Sequence, residues 1–276
     1  MKNELMDTVQ VMDSTYGIDI SKYDDTFLKQ AIKKRCAATE AKTLSEYNQY
    51  LSGNVAEVQI LFVSLNITYT EFFRNTLTFA HLEQWILPEL IERKSKMNEL
   101  RIWSAGCSTG QEAYSIAMLI ENLCAKKTKA FRYRIIATDI SESALTVARR
   151  GEYNKEAIQN IRVRDVNSNF EKAGETYKVC ERVRKHVSFS IYDLLDNLCS
   201  YPQESIFGNF DLVICSNLLF YYQPEYQHRI LKKLINSMAG NGYLISGEAE
   251  RHVITKVGGL RTVVPPSPIF QRKAEA

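Results

Sequence analysis

Residues 100–119, LRIWSAGCSTGQEAYSIAML, constrain this chain more than any other stretch. An apolar run from Leu100 to Ala105 breaks into a loop holding Gly106 and Gly110, and a helix-like run begins at Gln111. Strand, glycine loop and helix in that order build a cofactor crevice at the strand ends of an open α/β sheet. Short β-rich runs recur from there: LRIWSA, RYRIIATD, VSFSI, FDLVICS, YLISGE and PIFQRK. Helical stretches over 111–125, 141–150 and 224–239 separate several of them. Such alternation predicts a doubly wound parallel sheet with helices on its faces.

The chain before residue 100 has a different pattern. Residues 20–95 read as mostly helix, with Phe27, Ile32 and Cys36 at helical spacing and a break at Ser52-Gly53-Asn54. LEQWILPELIERK reads as the last helix of this part, kinked at Pro88. The predicted organisation is a small all-helical domain over 1–96 and a cofactor-binding α/β domain over 97–276, divided in the polar stretch KSKMNE. Residues 151–186 are polar and longer than a crossover needs, which predicts an inserted subdomain or lid.

Glu112 stands near the start of the helix after the glycine loop. A helix start attracts anions through its free N–H groups and its dipole. A carboxylate already there repels a diphosphate and argues against a nicotinamide cofactor. It suits a ligand that presents a cation and hydroxyls, such as S-adenosylmethionine (SAM) with its sulfonium, ammonium and ribose. Asp139 closes the second β-run, where an acid accepts hydrogen bonds from ribose hydroxyls. Asp193 follows the third run, and Ser216-Asn217 ends the fourth, where polar side chains face the crevice. By spacing alone Tyr221 and Tyr222 read as core or rim, and Thr68, Thr70 and Arg74 of TYTEFFRN as a cap beside a solvated arginine.

The four histidines (81, 186, 228, 252) fall in no ligand spacing, so no metal site is expected. Six cysteines are scattered without CxxC pairs, which points to a reducing, cytoplasmic compartment. A net charge of +3 gives no ground for nucleic-acid binding. No apolar run of about 18 residues is present, so no membrane insertion is expected. Lys29, Lys33, Lys34 and Arg35 form a basic cluster suited to an acidic partner helix.

Five ordered motifs together resemble the chemotaxis-receptor glutamate methyltransferase family, CheR. SAGCSTGQEAYSIAM is similar to that family's SAGCSTGEEPYSIAM, and ATDIS to its ribose strand. FDLVICSNLLFYY resembles its FD-hydrophobic-CRN segment, GYLISGEAE its GGYLFLGHSE, and TEFFRN its TEFFRD-like segment. The resemblance implies a SAM-dependent methyltransferase with a Rossmann-like sheet, releasing S-adenosyl-L-homocysteine (SAH). It implies that Thr68, Thr70 and Arg74 close the pocket, with Arg74 on the methionyl carboxylate. Gly106, Glu112 and Asp139 would hold the amino-acid part and ribose. Asp193, Leu194, Ser216 and Asn217 would line the adenosine, and Tyr221 would stand near the transferred methyl. The implied partners are cytoplasmic helices of membrane chemoreceptors, met by a monomer, with 151–186 matching the small β subdomain that docks receptor. Thr68, Asp193 and Ser216 stand where the family has asparagine, asparagine and arginine, and Glu248-Ala249-Glu250 where it has GHSE. Two other readings stay open at this point: an O-methyltransferase of another protein or small acid, and a SAM-binding scaffold in a signalling complex.

Overall fold

The computed structural model describes residues 2–66, 68–94, 99–127, 131–205 and 208–273. They form two compact units, Met1–Ile67 with Phe220–Gln227, and Thr68–Leu219 with His228–Ala276.

The first unit is built from helices α1 (Lys2–Tyr16), α2 (Asp25–Ala38), α3 (Leu44–Ser52) and α4 (Val55–Ser64). Side chains cap three of them. Asp24 accepts from the N–H groups of Thr26 and Phe27, Thr43 from Glu46, and Asn54 from Glu57. The sequence reading missed α1. Its buried stripe is Leu5, Thr8 and Met12, and the polar middle member hides the periodicity. Thr8 is tolerated there because its hydroxyl donates to buried Asn48 at 2.7 Å.

Glu57 is the polar centre of this unit, 2% exposed. Arg35 donates to it twice, at 2.9 and 2.7 Å, and the Tyr47 hydroxyl donates at 2.8 Å. Burial pushes the Glu57 pKa up, but these bonds outweigh it and hold the carboxyl below its ordinary range. Arg35 is therefore committed inward and leaves the basic cluster to the three lysines. Residues 220–227 complete the unit. Tyr222 stacks on Tyr23 at 5.3 Å, Tyr221 packs on Phe27 at 4.9 Å, and the N–H groups of Asp24 and Gln223 donate to the carbonyls of Tyr221 and Lys22.

The second unit opens with α5 (Thr76–His81), a π-helical turn (Leu82–Ile86) and α6 (Leu87–Lys94). Leu87 N–H donates back to Leu82, so the helix widens just ahead of Pro88, which has no N–H to offer. The unit continues with β1 (Leu100–Ala105), α7 (Gln111–Lys127), β2 (Tyr133–Asp139) and α8 (Glu142–Arg150). The inserted part holds β3 (Glu152–Tyr153), α9 (Lys155–Ile158), α10 (Val163–Asn169), β4 (Phe170–Ala173), β5 (Thr176–Val179) and α11 (Glu181–Arg184). Then come β6 (Val187–Ile191), β7 (Phe210–Cys215), α12 (Pro224–Ser237), β8 (Met238–Ser246), α13 (Arg251–Ile254), β9 (Leu260–Thr262) and β10 (Ile269–Arg272).

The main sheet runs β6-β2-β1-β7-β8-β10-β9. Its first five strands are parallel, as the alternation predicts. The last two are antiparallel, a departure from the expectation for PIFQRK. Between β8 and β10 the chain has only the four-residue α13 in place of a crossover helix. β9, three residues long and largely exposed, carries no readable alternation. The insert is a three-stranded antiparallel sheet, β3-β5-β4. It is fixed to the main core through Phe72, whose ring meets Tyr153 and Phe170 edge-on at 4.9 and 5.4 Å.

The division between units also differs from the expected one. Residues 95–98, around the expected boundary, lie outside the described residues. The contacts divide at Ile67–Thr68, because Leu82, Ile86, Leu87, Leu90 and Ile91 share a core with Leu100, Ile102 and Ile245. Helical periodicity identifies a buried face without saying which core receives it.

Glu57→Ala is expected to cost the first unit about 3–5 kcal/mol, by stranding Arg35 and the Tyr47 hydroxyl. Lys33→Ala, on the solvated face, should stay within about 0.5 kcal/mol. Chemical denaturation of both variants checks this. Because the folded pKa of Glu57 is lowered, its contribution is present above the ordinary carboxylate pKa and is lost as pH falls through the lower value.

Candidate functional site

The glycine loop is held from the adjoining strand. The Gly106 and Cys107 N–H groups both donate to the Thr138 carbonyl, at 2.8 and 2.9 Å. The Asp139 carboxylate accepts from Ser108 N–H at 2.8 Å and Ser141 N–H at 2.9 Å. Gly106 and Gly110 have φ of +76° and +92°, in the left-handed region that favours glycine. A Cβ on Gly106 would lie 2.3 Å from the Leu218 side chain, so only glycine lets Leu218 close over the loop. Further anchors come from the Ser108 hydroxyl, which donates to the Thr68 carbonyl at 2.7 Å, and the Tyr153 hydroxyl, which donates to the Thr109 carbonyl at 2.7 Å.

Glu112 lies in the first turn of α7 beneath this loop. The Ser104 hydroxyl donates to it at 2.7 Å, and Ser216 bonds it from the end of β7. Desolvation pushes its pKa up to about 7; both hydroxyls and the charge of Arg74 oppose the rise, while Glu250 adds to it. The site thus holds a carboxylate that a cationic ligand would stabilise. Asp139 is also raised, by burial, against the backbone N–H groups of Ser141, Ser108 and Ile140.

The segment before α5 brings Arg74 to Glu112. Phe73 and Asn75, on either side of Arg74, have φ of +54° and +62°. Two such departures in non-glycine residues on either side of one position mark a backbone held by its surroundings. Phe73 N–H donates to the Ser115 hydroxyl at 3.0 Å, which ties the segment to α7. Arg74 stacks over the Tyr69 ring at 5.1 Å. The charge of Arg74 bears on the buried Glu112 carboxylate, and an arginine with a carboxylate nearby complements a zwitterion, such as the amino-acid end of a ligand. Thr68 meets the loop through its carbonyl, and Thr70 is half-buried beside it.

Asp193 and Leu194 follow β6. Asp193 accepts from Leu195 N–H at 2.8 Å, Leu194 is buried, and the neighbouring Tyr192 N–H donates to the Asp139 carbonyl. Ser216 and Asn217 follow β7. The Asn217 side-chain oxygen is buried with no hydrogen-bond partner among the described residues. The second unit therefore gathers Gly106, Glu112, Asp139, Ser216, Asn217 and Arg74 about one loop. Tyr221 belongs by its contacts to the first unit, packed on Phe27. Among the described residues no group of three or more His, Cys, Asp or Glu side chains is placed to hold a metal ion.

Sequence reasoning missed Glu250 as a site residue. It is 0% exposed, and its carboxylate accepts from four backbone N–H groups at the ends of β7 and β8. Its sequence signals are an acid shortly after a β-run and its place at the end of the GYLISGEAE motif.

The chain matches two family models: the CheR methyltransferase all-alpha domain over residues 7–65, and the CheR methyltransferase SAM binding domain over residues 68–261. The two matches meet where the contacts divide. The chain is 32% identical over 248 residues to chemotaxis protein methyltransferase 1 of Pseudomonas aeruginosa, covering 87% of this chain and 86% of that one. It is 29% identical over 254 residues to the chemotaxis protein methyltransferase of Listeria monocytogenes, covering 92% of each. It is also 27% identical over 267 residues to the probable biofilm formation methyltransferase WspC of Pseudomonas aeruginosa, covering 97% of this chain and 61% of that one. With a glycine loop, a buried acid in the helix turn beneath it and these matches across both units, the chain belongs to the CheR methyltransferase family, and its second unit is a SAM-binding methyltransferase domain.

Proposed function

We propose that this protein transfers the methyl group of SAM to glutamate side-chain carboxylates on the cytoplasmic helices of chemoreceptors, giving glutamyl methyl esters and SAH. The observation that carries the reading is Glu112, a carboxylate buried at the glycine loop of a CheR-family chain, with the charge of Arg74 near enough to bear on it. The pair matches the carboxylate and ammonium of a methionyl group. The unpartnered Asn217 oxygen supplies an acceptor for a polar ligand edge.

Bound there, SAM supplies a methyl group made electrophilic by a sulfonium. Arg74 holds the ligand carboxylate and Glu112 its ammonium. Asp139 accepts from ribose hydroxyls with the lone-pair capacity its backbone N–H bonds leave free. Asp193, Leu194, Ser216 and Asn217 line the adenosine, and Gly106 admits close backbone approach. Thr68 and Thr70 close the pocket from the side of the preceding segment. Tyr221 orients a carboxylate oxygen of the acceptor through its phenolic hydrogen. A glutamate acceptor is ionised at neutral pH and asks for no general base. Methyl transfer between an anion and a sulfonium disperses charge, so apolar surroundings favour it, and alignment supplies much of the rate.

Receptor recognition is supported by a groove of about 390 Å³ in the first unit. Leu5, Ile32 and Leu44 line it beside Lys29, Lys33 and Lys42, a pattern that suits an acidic amphipathic helix. Among the described residues no helix is long and apolar enough to cross a membrane. The enzyme would meet its receptors as a monomer from the cytoplasm.

Incubation with radiolabelled SAM and receptor-containing membranes should place base-labile label on protein. Label confined to soluble metabolites would overturn the receptor assignment, and SAM binding without any turnover would support a scaffold instead. A second expectation follows from Glu112, whose pKa is about 7 without ligand. Ligand affinity should fall about tenfold per pH unit below 7 and level off above it, because only the carboxylate form holds the ammonium. Glu112→Gln should flatten that profile in calorimetric titrations with SAH. The same variant should stabilise the ligand-free protein at pH 8 by up to about 3 kcal/mol, since a raised folded pKa costs stability once pH exceeds the ordinary carboxylate value. Thermal melts of ligand-free protein at pH 5 and pH 8 check the sign.

A further inference from the structure

The parallel ladder between β7 and β8 ends at Cys215↔Ser246. Beyond that pair the strands part, and the N–H groups of the following residues lose their sheet partners. Glu250 fills the gap from a short 3₁₀ turn, Glu248–Glu250. Its Oε2 accepts from Gly247 at 2.7 Å and Asn217 at 2.9 Å, and its Oε1 from Leu218 at 2.7 Å and Leu219 at 2.6 Å. Two donors on each oxygen leave no position for a proton, so the arrangement requires the carboxylate form. Burial raises the pKa of the group, and the four N–H groups oppose that rise.

Both neighbours of the carboxylate bear on the crevice. Asn217 is held at φ +60°, and its side-chain oxygen is the buried acceptor without a partner. Leu218 is the residue that closes over Gly106. Gly247 admits the arrangement only because it has no side chain: a Cβ there would lie 2.8 Å from the Asn217 amide nitrogen and 2.9 Å from Glu250 Oε2. We propose that Glu250 is a positioning residue for cofactor binding, whose buried carboxylate sets the turn after β7 so that Asn217 and Leu218 meet the ligand in register with the glycine loop. It acts through those residues and touches neither the transferred methyl nor the acceptor.

Its charge also reaches Glu112, and this separates a positioning role from a structural one. Glu112 faces Ser104 on β1, Ser216 after β7, Arg74 before α5 and Glu250 after β8, with the buried thiols Cys107 and Cys215 near these acids. Glu250 raises the Glu112 pKa. Removing its charge lowers the pH at which Glu112 ionises.

The test compares Glu250→Gln and Gly247→Ala with the wild-type full chain, using SAH as the titrated probe and circular dichroism to establish folding. Glu250→Gln keeps the shape but opposes an NH₂ group to two N–H donors. It should weaken SAH binding about tenfold or more, raise KM for SAM in parallel, and move the midpoint of the pH profile downward. Gly247→Ala displaces the turn while keeping the charge, and should weaken binding without moving the midpoint. Wild-type affinity in either folded variant overturns the proposal, as does weakened binding in Glu250→Gln with an unmoved midpoint. Should Glu250→Gln fail to fold, Gly247→Ala decides alone: weakened binding upholds the role and wild-type affinity removes it.

Discussion

Two atoms groups at the end of β2 hold the turn on which the site depends. The Thr138 carbonyl takes the first two N–H groups of the glycine loop, and the Asp139 carboxylate takes the third and reaches forward to α8. Neither contact could form if β1 and β2 slipped by one residue, since every side chain would then turn to the other face. The register from Leu100↔Tyr133 to Ala105↔Thr138 is therefore a condition of the crevice as well as of the sheet. Trp103 reinforces it from beneath, its indole N–H donating to the Thr138 hydroxyl at 2.9 Å.

Three acids sit around this turn in surroundings that disfavour their charge: Glu112, Asp139 and Glu250, each with a pKa raised by burial. Glu250 is fully engaged by backbone donors, and Asp139 partly so. Glu112 relies on two hydroxyls and the nearby charge of Arg74. This grading matches their tasks, from fixing backbone to receiving a ligand. A site of this kind gives up stability for function, as expected where local rules are broken near a cofactor.

Much of this was legible in the residues. SAGCSTG announces a tight loop because its glycines precede a helix, and IIATD places an acid beside it. TYTEFFRN was legible only through family resemblance, because the segment owes its shape to left-handed Phe73 and Asn75, and neither residue type signals that conformation the way glycine does. Glu250 was overlooked as a site residue because its four partners are backbone groups, three of them some 30 residues earlier in the chain, and backbone donors leave no mark in the side-chain sequence. Arg35 was grouped with the lysines because charge runs are read along the chain, whereas its partner Glu57 lies on another helix. The α1 stripe and the true unit boundary were lost for a related reason: local pattern does not name the packing partner.

The first unit is assembled from two separated stretches of chain, 1–67 and 220–227. Synthesis delivers these stretches far apart in time, since the ribosome adds residues one by one from the N-terminus. The four helices emerge early, yet the Tyr222 ring that stacks on Tyr23 and the carbonyl that receives Asp24 N–H are made only after β7. The N-terminal bundle must wait, with one flank unfinished, until most of the sheet has left the tunnel. Cleaving the chain near residue 67 would yield a fragment lacking its own closing piece, so the amino-terminal portion is not a freely portable module.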